Sequence, residues 1–170
     1  MLRSLSLSIL LIVGLVAGSF PSHAQTVRLP KAGDPAFSMD VPTGWTYSYD
    51  ANDNLQFMAT DRSAVLQLSM IADERVATTT LETVAASIFQ SAGAAPYTRE
   101  EPGKVVGHAG EAFYGTLTEP QVVLQMKLIL AKLDNTHIAA ISSLIRPDAT
   151  PQQIAALNAL IGLVQLSVPK

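Results

Sequence analysis

The chain has 170 residues, a formal charge of −3, 15% charged and 48% hydrophobic residues, and no cysteine. Charge well below the usual ~25% and a large apolar fraction specify one folded core rather than a disordered chain. The composition excludes thiol catalysis, thiolate metal sites and disulfides, and without any Lys/Arg cluster nucleic acid is not an expected partner.

Residues 1–24 carry a single charge, Arg3, then an apolar run from Leu7 to Ala17 and the small-x-small triplet Ser22-His23-Ala24. A spanning helix needs about 20 apolar residues. The shorter run with a basic start reads as a secretory signal peptide cleaved before Gln25, the alternative being an uncleaved N-terminal anchor. Loss of the leader removes Arg3, leaving 10 basic against 14 acidic side chains, net −4, over 146 residues. The mature protein is expected in the periplasm or outside the cell, with no membrane span of its own. The mean hydropathy of +0.28 is raised by the leader and does not argue for membrane residence.

Residues 25–35 read as an N-terminal linker of small and turn residues, and 36–170 as a single domain. Phe37, Met39 and Val41 alternate with polar neighbours, the period of a half-buried strand, and Pro42-Thr43-Gly44 turns the chain. Trp45, Tyr47 and Tyr49, then Leu55, Phe57 and Ala59, alternate on either side of the turn-forming residues 50–54, which predicts a hairpin. A strand follows over 65–70. Thr79-Thr80-Leu81-Glu82 fits a capping box in which Glu82 reaches back to the helix start, and Leu81, Val84, Ala85, Ile88 and Phe89 form one apolar helical face. The stretch 97–104 is polar and punctuated by Gly and Pro. Strand patterns resume over 105–117, 121–133 and 137–145, the last being apolar on both faces, as in a covered strand. Thr150-Pro151-Gln152-Gln153 supplies an N-cap hydroxyl, a first-turn Pro and a Gln three residues on, a second helix start, and Ile154, Leu157, Ile161 and Val164 form the stripe. The predicted class is α+β, a three-layer α/β/α sandwich with a central antiparallel sheet. Its expected core includes Phe37, Trp45, Leu68, Val84, Ile88, Leu124, Leu128, Ile141, Leu157 and Ile161.

Few constellations offer chemistry. Asp50, Asn52, Asn54 and Asp61 fall at calcium-loop spacing, but Leu55 stands where the loop needs Gly and the flanks are strands, so a hairpin turn is expected. His108 and Glu111, three apart on a strand, point to opposite faces. Asp134 and His137 flank a turn. Trp45, Tyr47 and Tyr49 share a strand face suited to stacking a ligand or anchoring a partner, but packing in the core under a helix is the favoured reading. The nucleophile-elbow, zincin and phosphate-loop motifs do not occur. No catalytic, cofactor-binding or metal residue is assigned, and no cofactor is expected.

The segment Phe37-Ser38-Met39-Asp40-Val41-Pro42-Thr43-Gly44-Trp45 resembles the strand and Pro-x-Gly-Trp opening of the PsbP-like and Mog-type superfamily. The order of elements behind it, hairpin, strand, capped helix, strand, long hairpin and final helix, is similar to that family too. The resemblance implies a three-layer sandwich and a role as an accessory or binding protein rather than an enzyme, like an extrinsic photosystem subunit, a Ran-binding factor or periplasmic proteins of the DcrB type. No site residues carry over from it. The expected function is therefore that of an exported, noncatalytic accessory or binding protein whose partner is another envelope protein. The alternative is a small hydrolase or metal-dependent enzyme with an unrecognised polar site, which requires His108, Glu111, Asp134 and His137 to converge.

Overall fold

A computed structural model describes residues 25–168, so the signal-peptide reading of 1–24 lies outside the described residues. Alternating hydrophobicity produces ten strands: β1 (Thr26–Leu29), β2 (Ala36–Asp40), β3 (Trp45–Tyr49), β4 (Leu55–Ala59), β5 (Ala64–Ala72), β6 (Arg99–Val105), β7 (His108–Glu119), β8 (Val122–Lys132), β9 (His137–Ile145) and β10 (Gln165–Ser167). Helix α1 (Leu81–Ser91) lies between β5 and β6, and α2 (Pro151–Gly162) between β9 and β10. Seven strands form one antiparallel sheet in the order β3-β4-β5-β9-β8-β7-β6, and β1-β2-β10 form a smaller one.

Strands β8 and β9 show why the large sheet needs cover on both faces. Leu128, Leu130, Ile138, Ala140 and Leu144 pack with Ala85, Ile88 and Phe89 of α1. The intervening Ile129, Ala131, Ala139 and Ile141 join Leu157 and Leu160 of α2 and Val27, Leu29, Phe37 and Met39 of the small sheet. Helix α1 sits over β7 and β8. Beyond its reach, Thr46, Ser48 and Met58 of β3 and β4 face solvent. Gly115 makes the α1 seat possible, since a Cβ there would lie 2.5 Å from the Phe89 ring.

Of the expected core, Phe37, Leu68, Ile88, Leu128, Ile141 and Leu157 are buried, whereas Trp45, Val84, Leu124 and Ile161 are half-buried at the margins. Three segments differ from expectation. Thr26–Leu29, assigned to the linker, is a strand because Val27 and Leu29 find an apolar surface beneath β2's partner layer. Most of the stretch 97–104, taken as punctuation, belongs to β6, where Pro102 is tolerated because this is a sheet edge. Short β10 also pairs with β2.

Candidate functional site

A cluster of three carboxylates, a single hydrogen-bonded carboxylate and one cleft stand out, each where a helix start or a turn meets the large sheet. The α2 start forms as predicted: Thr150 accepts from the Gln153 N–H, and the Gln153 side chain accepts from the Thr150 N–H at 2.7 Å. The amide nitrogen of Gln153 then donates to Asp61 Oδ2 at 2.8 Å, while the Ser63 hydroxyl and N–H donate to Oδ1 at 2.6 and 2.9 Å. The Ser63 hydroxyl foremost, then Gln153 and the Ser63 N–H, hold the Asp61 carboxyl at about 2. Asp61 thus fastens the β4–β5 turn to α2.

The α1 start differs from the predicted one by a single residue. Thr80, not Thr79, is the cap, accepting from the Thr83 N–H, so Glu82 occupies the second helical position and cannot complete the box. Instead its carboxylate meets Glu100 of β6 and Glu111 of β7, with one oxygen from each all within 4.8 Å of one another. One oxygen of Glu111 is buried without a hydrogen-bond partner. Desolvation first, then the charges of Glu82 and Glu100, pushes the Glu111 pKa up. The Thr80 hydroxyl, then Glu82's own N–H, pulls the Glu82 pKa down. Three carboxylates this close repel one another, and the raised pKa falls on Glu111, the one with a buried oxygen that no donor reaches.

The remaining candidates do not join this cluster. Glu111 pairs with Leu130 on the α1 face, whereas His108 pairs with Val105, which belongs to the opposite core. Asp134 sits in the β8–β9 turn and accepts from the N–H groups of Thr136 (2.6 Å) and His137 (2.8 Å), from the Thr136 hydroxyl (2.8 Å), and contacts His137 Nδ1 (2.9 Å). Desolvation opposes its charge, but the bonds from Thr136 and His137 outweigh it and hold the pKa at about 2. Among the calcium-spaced residues, Asp50 accepts from the Asn52 and Asn54 N–H groups and the Asn54 side chain. The length of β4 separates it from Asp61, so these residues are two turns rather than one loop.

The aromatic row is structural at one end and accessible at the other. The Tyr49 hydroxyl donates to the Arg28 carbonyl of β1 at 2.8 Å, and the Tyr47 ring packs edge-on against Tyr49. Trp45 instead borders an open cleft of about 250 Å³, whose other walls are the Thr43–Gly44 turn, Ala59, Thr60, Asp61 and Ser63 of the next turn, and Gln153 and Ala156 of α2. Gly44, at φ +88°, bends the chain into this wall. The Pro-Thr-Gly-Trp signal was legible in the sequence, but its opposite wall, contributed by α2, was not. Glu82 and Glu100 were missed as well, because the capping-box pattern assigned Glu82 another task and residues 97–104 were not taken for a strand.

No protein-family model and no curated protein sequence matches the chain. Solved structures do match. Cyanobacterial PsbP (CyanoP) from Synechocystis aligns over 89% of this chain and 99% of its own, with 11% identity and a TM-score of 0.57. The Ran-binding protein Mog1p of Saccharomyces cerevisiae aligns over 86% of this chain and 96% of its own (10% identity, TM-score 0.50). A Bacteroides thetaiotaomicron protein aligns over 77% of this chain (12% identity, TM-score 0.53), which spans 45% of that longer protein. These alignments bear out the resemblance drawn from residues 37–45: the chain has the PsbP/Mog1-like fold.

Proposed function

We propose that the protein is an exported, noncatalytic accessory protein that acts by contact, with the Trp45 cleft as its principal contact surface and another envelope protein as its partner. The observation that carries this reading is the cleft itself, where a half-buried indole, the chain's one tryptophan, is framed by an α2 start and a β4–β5 turn locked together through Asp61 and Gln153. A rigid rim around an accessible aromatic is the arrangement on which interface energy concentrates. The Ran-binding name of the yeast protein with this fold supports binding as a use of the scaffold. The separation of His108 from Glu111, and the engagement of Asp134 within its own turn, weigh against the enzyme alternative. The two apolar clusters on opposite faces of the large sheet support a three-layer arrangement, with α1 outside one face and α2 plus the small sheet outside the other.

The test is photo-crosslinking in the native envelope, with a benzophenone residue placed at Thr60 on the cleft rim or at exposed Ser87 on α1. A discrete adduct from position 60 alone is expected. Adducts of equal yield from both positions, or none from position 60, would contradict the reading.

A further inference from the structure

The two edges of the large sheet are built in opposite ways. Strand β6 ends one edge with Arg99, Glu100, Glu101 and Lys104 and with Pro102, which has no N–H to donate. Charge and Pro are the devices that keep an edge from pairing with another chain. Strand β3 ends the other edge, and Trp45-Thr46-Tyr47-Ser48-Tyr49 contains neither.

The register shows which β3 groups stand free. Thr60 donates to the Gly44 carbonyl and Asp50 to that of Asn54, so the even-numbered residues of this strand bond to β4. The odd-numbered ones point outward. The Trp45 N–H turns back to the Pro42 carbonyl at 3.3 Å, but among the described residues nothing bonds to the N–H groups of Tyr47 and Tyr49 or to the carbonyls of Trp45, Tyr47 and Tyr49. Five adjacent main-chain groups are therefore left along a strand that carries no charge of its own, with the Lys31 ammonium 4.4 Å from the Tyr49 ring centroid and paired with Asp53.

We propose that β3 pairs antiparallel with β3 of a second copy of this chain, about a two-fold axis at Tyr47. This goes beyond the cleft reading and does not depend on it. The sequence of β3 is a palindrome in chemistry, aromatic and hydroxyl residues alternating about Tyr47. Two-fold pairing sets Tyr47 against Tyr47 and Trp45 against Tyr49 on one face, and Thr46 against Ser48 on the other. Four hydrogen bonds result, two exchanged between the Tyr47 residues and two from Tyr49 N–H to the Trp45 carbonyl. Aromatic and hydroxyl cross-strand pairs are favourable ones. No like charges oppose, since Asp50 falls opposite Gly44 and is bound in its own turn. The solvent-facing side chains Thr46 and Ser48 leave one side of the junction open.

The experiment is sedimentation of the mature chain alone, with two charge variants, Thr46→Lys/Ser48→Lys and Thr46→Glu/Ser48→Glu. Both positions are exposed, and melting curves confirm that each variant folds. The wild type is expected to dimerise, each variant to associate about tenfold or more weakly because like charges face across the axis, and an equal mixture of the two to recover a heterodimer. A wild type that stays monomeric at every concentration would overturn self-pairing and leave the edge to a strand of another protein. A dimer indifferent to both variants would overturn it as well. The crosslink from position 60 is read separately, so failure here and failure of the cleft reading are distinguishable.

Discussion

Asp61 and Glu111 are both carboxylic acids at places where the first turn of a helix meets the large sheet, yet their states are opposite. Asp61 receives three donors and its pKa falls to about 2. Glu111 has a buried oxygen with no donor and two carboxylates beside it, and its pKa rises. The difference lies in one helix position. At α2 the third residue is Gln153, whose amide closes the cap with its oxygen and still has a nitrogen to give Asp61. At α1 the third residue is Thr83, and the acid one position earlier is turned toward the sheet. Burial that no donor offsets makes Glu111 a strain, whereas at Asp61 three donors outweigh desolvation and make a fastening.

The largest perturbation of this contrast is expected at Gly110, next to Glu111, where a Cβ would lie 1.9 Å from the Leu130 carbonyl oxygen. Gly110→Ala must displace backbone, and a loss of about 3 kcal/mol in urea unfolding is expected. Gln153→Ala removes both the box and the tie to Asp61, for a loss of about 1–2 kcal/mol, and it should also raise the Asp61 pKa in an NMR titration. A Gln153→Ala protein with unchanged Asp61 titration would show that the tie is incidental.

Glu111→Gln sharpens the contrast from the other side. It removes the like-charge conflict, and thermal melting at neutral pH should show a higher melting temperature than the wild type. The signs with pH are opposite for the two kinds of group. Asp61 and Asp134, lowered from 3.8 to about 2, contribute stability that is present above pH 4 and lost as pH falls toward 2. Glu111, raised above 4.5, has its penalty absent below pH 4.5 and felt as pH climbs through its folded pKa. The wild-type melting temperature should therefore decline more than that of Glu111→Gln between pH 4.5 and that folded pKa and run parallel to it above, whereas the acid limbs coincide. The smallest expected effect is that of cations. Calcium or EDTA should leave the wild-type melting temperature unchanged, and a calcium-dependent rise abolished by Glu111→Gln would show the three carboxylates to be a cation site instead.

Much of the fold was legible because its signals are local. The alternation in 45–49 and 55–59, the near-continuous apolar run 137–145 and the Thr150-Pro151-Gln153 cap depend on neighbours in sequence, and each formed as expected. The order of elements behind Pro42-Thr43-Gly44-Trp45 sufficed to indicate the fold. What escaped was set by tertiary context. Strand β6 reads as a loop because Pro102 is tolerated only at an edge, and being an edge is a property of the sheet. Val27 and Leu29 are too short an alternation to register until β2 lies beside them. Glu82 and Glu111 come from segments 29 residues apart, and their meeting depends on Gly115 admitting Phe89. The Trp45 cleft was half legible, its first wall by motif and its second only through the packing of α2.

The central claim is that function resides in contact at the Trp45 cleft rather than in the polar side chains. It is tested most directly by repeating the position-60 crosslink in two backgrounds. Replacing His108, Glu111, Asp134 and His137 together by Ala should leave the adduct intact, whereas Ala156→Arg, which crowds the cleft from α2, should abolish it with the fold retained. An adduct that survives Ala156→Arg but disappears with the four polar side chains would contradict the account.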